Sequence, residues 1–188
     1  MDSKKPQIQQ ANLDCTAAGC FFIDNQQSAL FGYTPKLNMF SGIGGCIEEG
    51  ETPQQCAFRE TLEELYGIKS PSKDLIEDCI TLFDSRPFII RNAYGFYLLE
   101  GDDYAILASK VRTYYESVPY YERFPKNLFN LVIERTTNIP DMEITELIFM
   151  NPTYSRHYPI IDREFIADWV EARKYCVIEK YESDSSSE

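Results

Sequence analysis

The chain has one histidine and one tryptophan among its 188 residues, and no apolar run approaches the roughly eighteen residues that a membrane span requires. A membrane partner is therefore not expected. The opening residues, MDSKKPQIQQANLD, contain no stretch that would act as a secretory h-region, so the expectation is an intracellular, cytoplasmic protein. Six cysteines are present, but none forms a CxxC pair or a Cys/His ligand spacing. Reduced thiols are expected rather than a structural zinc or a disulfide framework. Cations are in deficit as well: 18 Lys and Arg stand against 30 Asp and Glu, a formal net charge of -12. That balance disfavours broad electrostatic adhesion to nucleic acid or to an anionic membrane.

What is present suits a folded domain: 44% of residues are hydrophobic and 14% aromatic. This length fits one core better than two. We expect a flexible segment at residues 1–12, a single domain at 13–178 and a disordered acidic, Ser-rich tail at 179–188. CTAAGCFFI at 15–23 and SALFGY at 28–33 flank the turn-like DNQQ and read as a hairpin. LNMFSGIGG ends in glycines that break regular structure. Thr52 as cap and Pro53 at the first position open a helix that meets no further glycine before Gly67. DCITLFD at 78–84 and FIIRNAYGFYLLE at 88–100 read as strands, and residues 104–118 as an amphipathic helix with a second one near 127–135. A strand at 144–151 and a helix at 163–175 complete a mixed α/β order.

The stretch GGCIEEGETPQQCAFRETLEELYGI, residues 44–68, concentrates six glutamates and four glycines around one arginine. On a helix turning about 100° per residue, Glu64 lies about 40° from Glu60, and Glu63 about 60° to the other side. Three carboxylates thus project into one sector. Such crowding is repulsive unless the sector faces water or a cation, and hard divalent ions are bound by carboxylate oxygens. A solvated acidic face is the ordinary outcome for paired glutamates. Here, however, a glycine-rich turn leads through Glu51 into a capped helix with Arg59 beside Glu60, which suits phosphate held through metal.

At these residues the sequence resembles the Nudix hydrolase family. Gly45, Glu51, Arg59, Glu60, Glu63, Glu64, Gly67 and Ile68 match its box, with one extra residue before the last glycine and Thr61 in place of the usual aliphatic residue. The resemblance implies an α/β/α sandwich with a mixed sheet, here with a helical insertion around residues 104–138. It also implies that Glu60, Glu63, Glu64 and the Gly45 carbonyl hold Mg2+ or Mn2+, with Arg59 and Glu51 orienting them. The implied reaction is water attack at phosphorus in a nucleoside diphosphate derivative such as a nucleotide sugar, a dinucleotide or a capped RNA end.

Glu60, Glu143 and Glu146 are candidate general bases, and His157 is a weaker one. Arg86, Arg91, Tyr114 and Tyr115 are candidate substrate contacts. Lys110, Arg112, Arg123, Lys126 and Arg135, interleaved with tyrosines, would steer RNA if they formed one patch, and would equally suit helices packed on the core. A non-catalytic nucleotide-binding module and a diphosphoinositol polyphosphate phosphohydrolase are the alternative readings.

Overall fold

A computed structural model describes residues 15–24, 26–137, 139–151 and 160–184. His157 and the N-terminal segment 1–12 lie outside the described residues.

The strands are β1 (Ala17–Ile23), β2 (Ala29–Thr34), β3 (Met39–Ser41), β4 (Ile43–Cys46), β5 (Phe88–Arg91), β6 (Tyr94–Glu100) and β7 (Glu146–Met150). They form one sheet in the order β3-β2-β1-β6-β5, with β4 paired to β1 and β7 to β2. The sheet is mixed. β1 runs parallel to β6 from Ala17↔Tyr94 to Ile23↔Glu100, whereas its pairings with β2 and β4 are antiparallel. β4 takes the near half of the β1 edge, Ala17 to Cys20, and β2 meets it at Ile23, so the sheet forks there.

Period-two alternation explains the two faces. Ala18, Cys20 and Phe22 of β1, with Tyr97 and Leu99 of β6, pack toward helix α1 (Pro53–Tyr66), α2 (Lys73–Leu82) and α3 (Gly101–Tyr114). Phe21 and Ile23, with Phe31, Phe96 and Leu98, pack against Phe165, Trp169 and Ala172 of the last helix. That helix is α5 (Arg163–Asp184), and the short α4 (Leu128–Ile133) precedes β7. Helices on both faces of a mixed sheet give the expected α/β/α arrangement.

Four readings are corrected. DCITLFD is not a strand but lies mostly in α2, which Ser72 caps by accepting a hydrogen bond from the Leu75 N–H at 3.3 Å. LNMFSGIGG does not merely break structure, since it supplies β3 and β4. The last helix passes residue 175 and continues to Asp184. Within the insertion, α3 starts at Gly101 and ends at Tyr114, earlier at both ends than the sequence pattern suggests.

Candidate active site

α1 is fixed at both ends by its own sequence. The Thr52 hydroxyl accepts from the Gln55 N–H at 3.2 Å and the Gln55 side chain accepts from the Thr52 N–H at 2.8 Å, a reciprocal cap. At the other end Gly67, at φ 77°, donates its N–H to the Glu63 carbonyl. The extra residue of the box is accommodated inside the helix: Tyr66 is its last residue, fully buried and stacked near Tyr104 and Phe124. Thr61 is buried too, and its hydroxyl donates to the Ala57 carbonyl at 2.7 Å, so its polar atom is satisfied within the helix.

Opposite this helix runs β4, whose glycines allow the carboxylates to approach the backbone. The Gly44 N–H donates to Glu64 Oε2 at 2.7 Å. A Cβ built on Gly45 would fall inside the Glu60 carboxylate, and one on Gly44 would collide with the Tyr94 hydroxyl and the Ala18 carbonyl. Glycine is needed here for proximity. Gly45→Ala is therefore expected to displace Glu60 while leaving the fold intact. Turnover should fall by about 10- to 100-fold, as for displaced groups supporting a metal, with an unchanged far-UV circular dichroism spectrum as the check on folding.

Arg59 gathers the remaining acids. Its Nε and Nη2 donate to the two oxygens of Glu51 at 2.8 and 3.1 Å, its Nη1 to Glu60 Oε1 at 2.6 Å, and its Nη2 also to the Cys46 carbonyl at 2.9 Å. Glu63 Oε2 lies 3.5 Å from Nη1. The paired contact with Glu51 fixes the loop ahead of the helix, because Glu51 Oε2 also accepts from the Glu48 N–H at 3.0 Å. One guanidinium thus orders three carboxylates.

The electrostatics remain strained despite it. Burial raises the Glu64 carboxyl well above the ordinary range, and the neighbouring Glu60 adds to the shift while the Gly44 N–H opposes it. Burial also raises Glu60, with Arg59 opposing and Glu143 and Glu51 reinforcing the rise, and it raises Glu63. Burial and then the Glu51 charge push the Cys56 thiol up to about 12, so it stays neutral and lies within hydrogen-bonding reach of the Gly45 carbonyl, at 3.4 Å. Among the described residues no three His, Cys, Asp or Glu groups close around one point. The donors form a row along α1 instead of a cage. Magnesium suits such a row because it keeps several waters and takes one or two carboxylates directly.

The other candidates divide. Glu143 is exposed on the segment ahead of β7, and its charge adds to the rise of the Glu60 and Glu64 carboxyls. Glu146 is exposed on β7 opposite Tyr33. Arg86 binds the buried Asp103 at the start of α3 through Nε at 3.1 Å and Nη2 at 2.7 Å. The Tyr114 hydroxyl donates to Asp78 of α2 at 2.7 Å, and Tyr115 packs against the core. Arg91 pairs with Asp168 of α5 and lines a cleft of about 330 Å³ together with Met39, Gly44, Gly45, Tyr94, Asp162 and Phe165. This cleft adjoins the carboxylate row at the shared glycines. The sequence reading missed Gly44 and Tyr94 as site residues, although the doubled glycine of IGGC was a visible signal for the first.

Residues 14–107 match the NUDIX domain family model. Among solved structures the chain is similar to a NUDIX-family hydrolase from Clostridium perfringens, at 13% identity over 87% of this chain and 99% of that one, with a TM-score of 0.42. It is similar also to an Ap4A hydrolase from C. elegans, at 15% identity over 87% and 98% with a TM-score of 0.42. A Nudix hydrolase from M. smegmatis gives 13% identity over 88% and 87%, with a TM-score of 0.44.

Proposed function

Because the chain belongs to the NUDIX domain family, we propose that it is a divalent-metal-dependent pyrophosphohydrolase acting on a small nucleoside diphosphate derivative. The observation that carries this reading is the row of Glu60, Glu63 and Glu64 set against the Gly44–Gly45 backbone and ordered by Arg59. The row fits Mg2+ or Mn2+: its oxygens are hard donors, and the repulsion and burial that raise their proton affinities are relieved by a cation. When bound, such an ion supplies charge neutralisation for the phosphates and acidifies the attacking water.

The chain's own residues do the rest. Arg59 keeps Glu60 and Glu63 facing the phosphates, and the Gly44 N–H keeps Glu64 aimed at the same place. Glu143 takes the proton of the attacking water, so that oxygen bonds to phosphorus as the anhydride P–O bond breaks. Glu143 is favoured over Glu60, which Arg59 already holds, and over Glu146, which faces away on β7. The adjoining cleft receives the nucleoside, its Tyr94 and Phe165 rings meeting the base and the Asp162 and Asp168 carboxylates accepting from base N–H groups.

That lining supports a small nucleotide over the alternatives. A diphosphoinositol needs clustered cations, whereas Asp162, Glu164 and Asp168 surround Arg91 here. The RNA-steering patch is depleted, since Lys110 pairs with Asp78 at 3.2 Å and Arg135 is buried. The test is phosphate-bond cleavage with magnesium or manganese across nucleotide sugars, dinucleotides, nucleoside triphosphates, diphosphoinositols and capped RNA. Metal-dependent cleavage confined to small nucleotides supports the reading. Tight nucleotide binding without turnover of any class would establish a binding module instead.

A further inference from the structure

Arg135 is only 8% exposed, yet it carries a full charge into the interior. Its Nη2 donates to the carbonyls of Glu64 at 2.7 Å and Ile144 at 2.8 Å, and its Nη1 donates to the Leu65 carbonyl at 3.0 Å and the Tyr121 hydroxyl at 3.2 Å. The Tyr120 ring lies over the guanidinium, 4.8 Å from its centroid. The Tyr120 ring also covers Gly67, where any Cβ would meet it at 2.8 Å. Two of the carbonyls belong to the last turn of α1, which has no intrahelical donors for them. The third belongs to the residue that follows Glu143.

A buried charge is expensive, and an apolar side chain of similar size would fill the same space with less penalty. Nε adds to that penalty, since it is buried without a hydrogen-bond partner among the described residues. Capping α1 alone would require contacts to one element, but this guanidinium reaches two. Its planar fork sets the spacing between the helix that bears Glu60 and Glu64 and the loop that bears Glu143.

We infer that Arg135 is a positioning residue that holds Glu143 in register with the carboxylate row of α1. The inference rests on the proposed hydrolase reading and on Glu143 as its base. Lysine at this position keeps the charge but cannot span both sets of carbonyls, so Glu143 drifts relative to the bound phosphate. A displacement near 1 Å in such a group lowers rate by about 100-fold.

The experiment compares Arg135→Lys, Glu143→Gln and the double variant for kcat, KM and Mn2+ affinity, the last by electron paramagnetic resonance without substrate. Arg135→Lys is expected to lower kcat by about 30- to 100-fold while KM and Mn2+ affinity stay within about 3-fold, because the carboxylates of α1 remain. Introducing Arg135→Lys into Glu143→Gln should then have little further effect, since Arg135 acts through Glu143. A kcat loss matched by an equal loss of Mn2+ affinity, or effects that multiply, would overturn the inference. Should Arg135→Lys fail to fold, Tyr121→Phe removes one support of the guanidinium and should give the same pattern at about 3- to 10-fold. No change in kcat there would count against it. Absence of turnover in the unmutated protein would defeat the hydrolase reading, and amide exchange would then judge the bridge. Gly67 and Thr145 exchange faster together if Arg135 joins the two elements, and faster exchange at only one of them refutes it.

Discussion

Glu64→Gln is expected to eliminate the proposed metal-dependent turnover, lowering kcat by about a thousand-fold or more, and also to raise the melting temperature of the metal-free protein. The first effect follows from removing an ionised oxygen donor where charge must be neutralised during phosphoryl transfer. The second follows from burial. Glu64 is 8% exposed, and its carboxyl is raised well above the ordinary range by desolvation and by Glu60. The folded state therefore binds that proton more tightly than the unfolded state does. Its contribution to stability is complete below the unfolded carboxylate range and is lost as pH rises through the folded value. Glutamine, neutral at every pH and able to accept the Gly44 N–H, does not suffer this loss.

The variant and the parent should thus melt together near pH 4 and diverge as pH rises. A difference of roughly 1 kcal/mol would appear as about 2–4 °C in a domain of this size. Thermal melts with chelator across that range make the measurement. Added Mn2+ should then stabilise the parent more than the variant, because the variant has lost one of the charged donors. A variant that melts below the parent at neutral pH would show Glu64 to be stabilised as a charge, against the origin assigned here.

Arg59→Ala affects both properties in the same direction. It leaves Glu51, Glu60 and Glu63 without their shared cation and removes the donor to the Cys46 carbonyl. Removing one partner of a largely buried pair costs about 3 kcal/mol, or roughly 6–12 °C in melting temperature at about 2–4 °C per kcal/mol. Turnover should drop by at least 100-fold, since the Glu51 loop and the Glu60 carboxylate lose their orientation together. Arg59→Lys should recover less than half of the lost stability, because a single ammonium cannot make the paired contact with Glu51. Melts and steady-state kinetics on both variants separate these outcomes. Full recovery by lysine would mean that charge alone, without the fork, orders the site.

The sequence disclosed α1 well because its signals are local: Thr52 caps it, Pro53 takes its first position, and Gly67 ends it. The β1–β2 hairpin was legible for the same reason, whereas residues 88–100, read as strand throughout, turn at Asn92 and Ala93 to give β5 and β6. α2 was not legible. Cys79, Ile80, Leu82 and Phe83 form a compact apolar run that suits either a strand or a short helix. The deciding signal was upstream, where Ser72 caps a helix that buries Leu75, Ile76 and Cys79 at helical spacing. β4 was hidden because its glycines looked like a turn, whereas they serve close approach by Glu60 and Tyr94 across long sequence distances. Arg86 and Tyr114 looked available for substrate, but Asp103 and Asp78 lie beside them, and Arg135, which suited a cationic patch or a core-packed helix equally, lies under the end of α1. Partners this remote leave no trace in local spacing.

The parallel pairing of β1 with β6 has a consequence for the newly made chain. β1 is synthesised well before Tyr94 to Glu100, by roughly 4–15 s at about 5–20 residues per second. During that interval the apolar AAGCFFI segment has one edge with no strand to cover it, the condition under which nascent chains stick to one another. Truncations that end before β6 should therefore accumulate as aggregates instead of as smaller folded domains, however complete their glutamate-bearing helix.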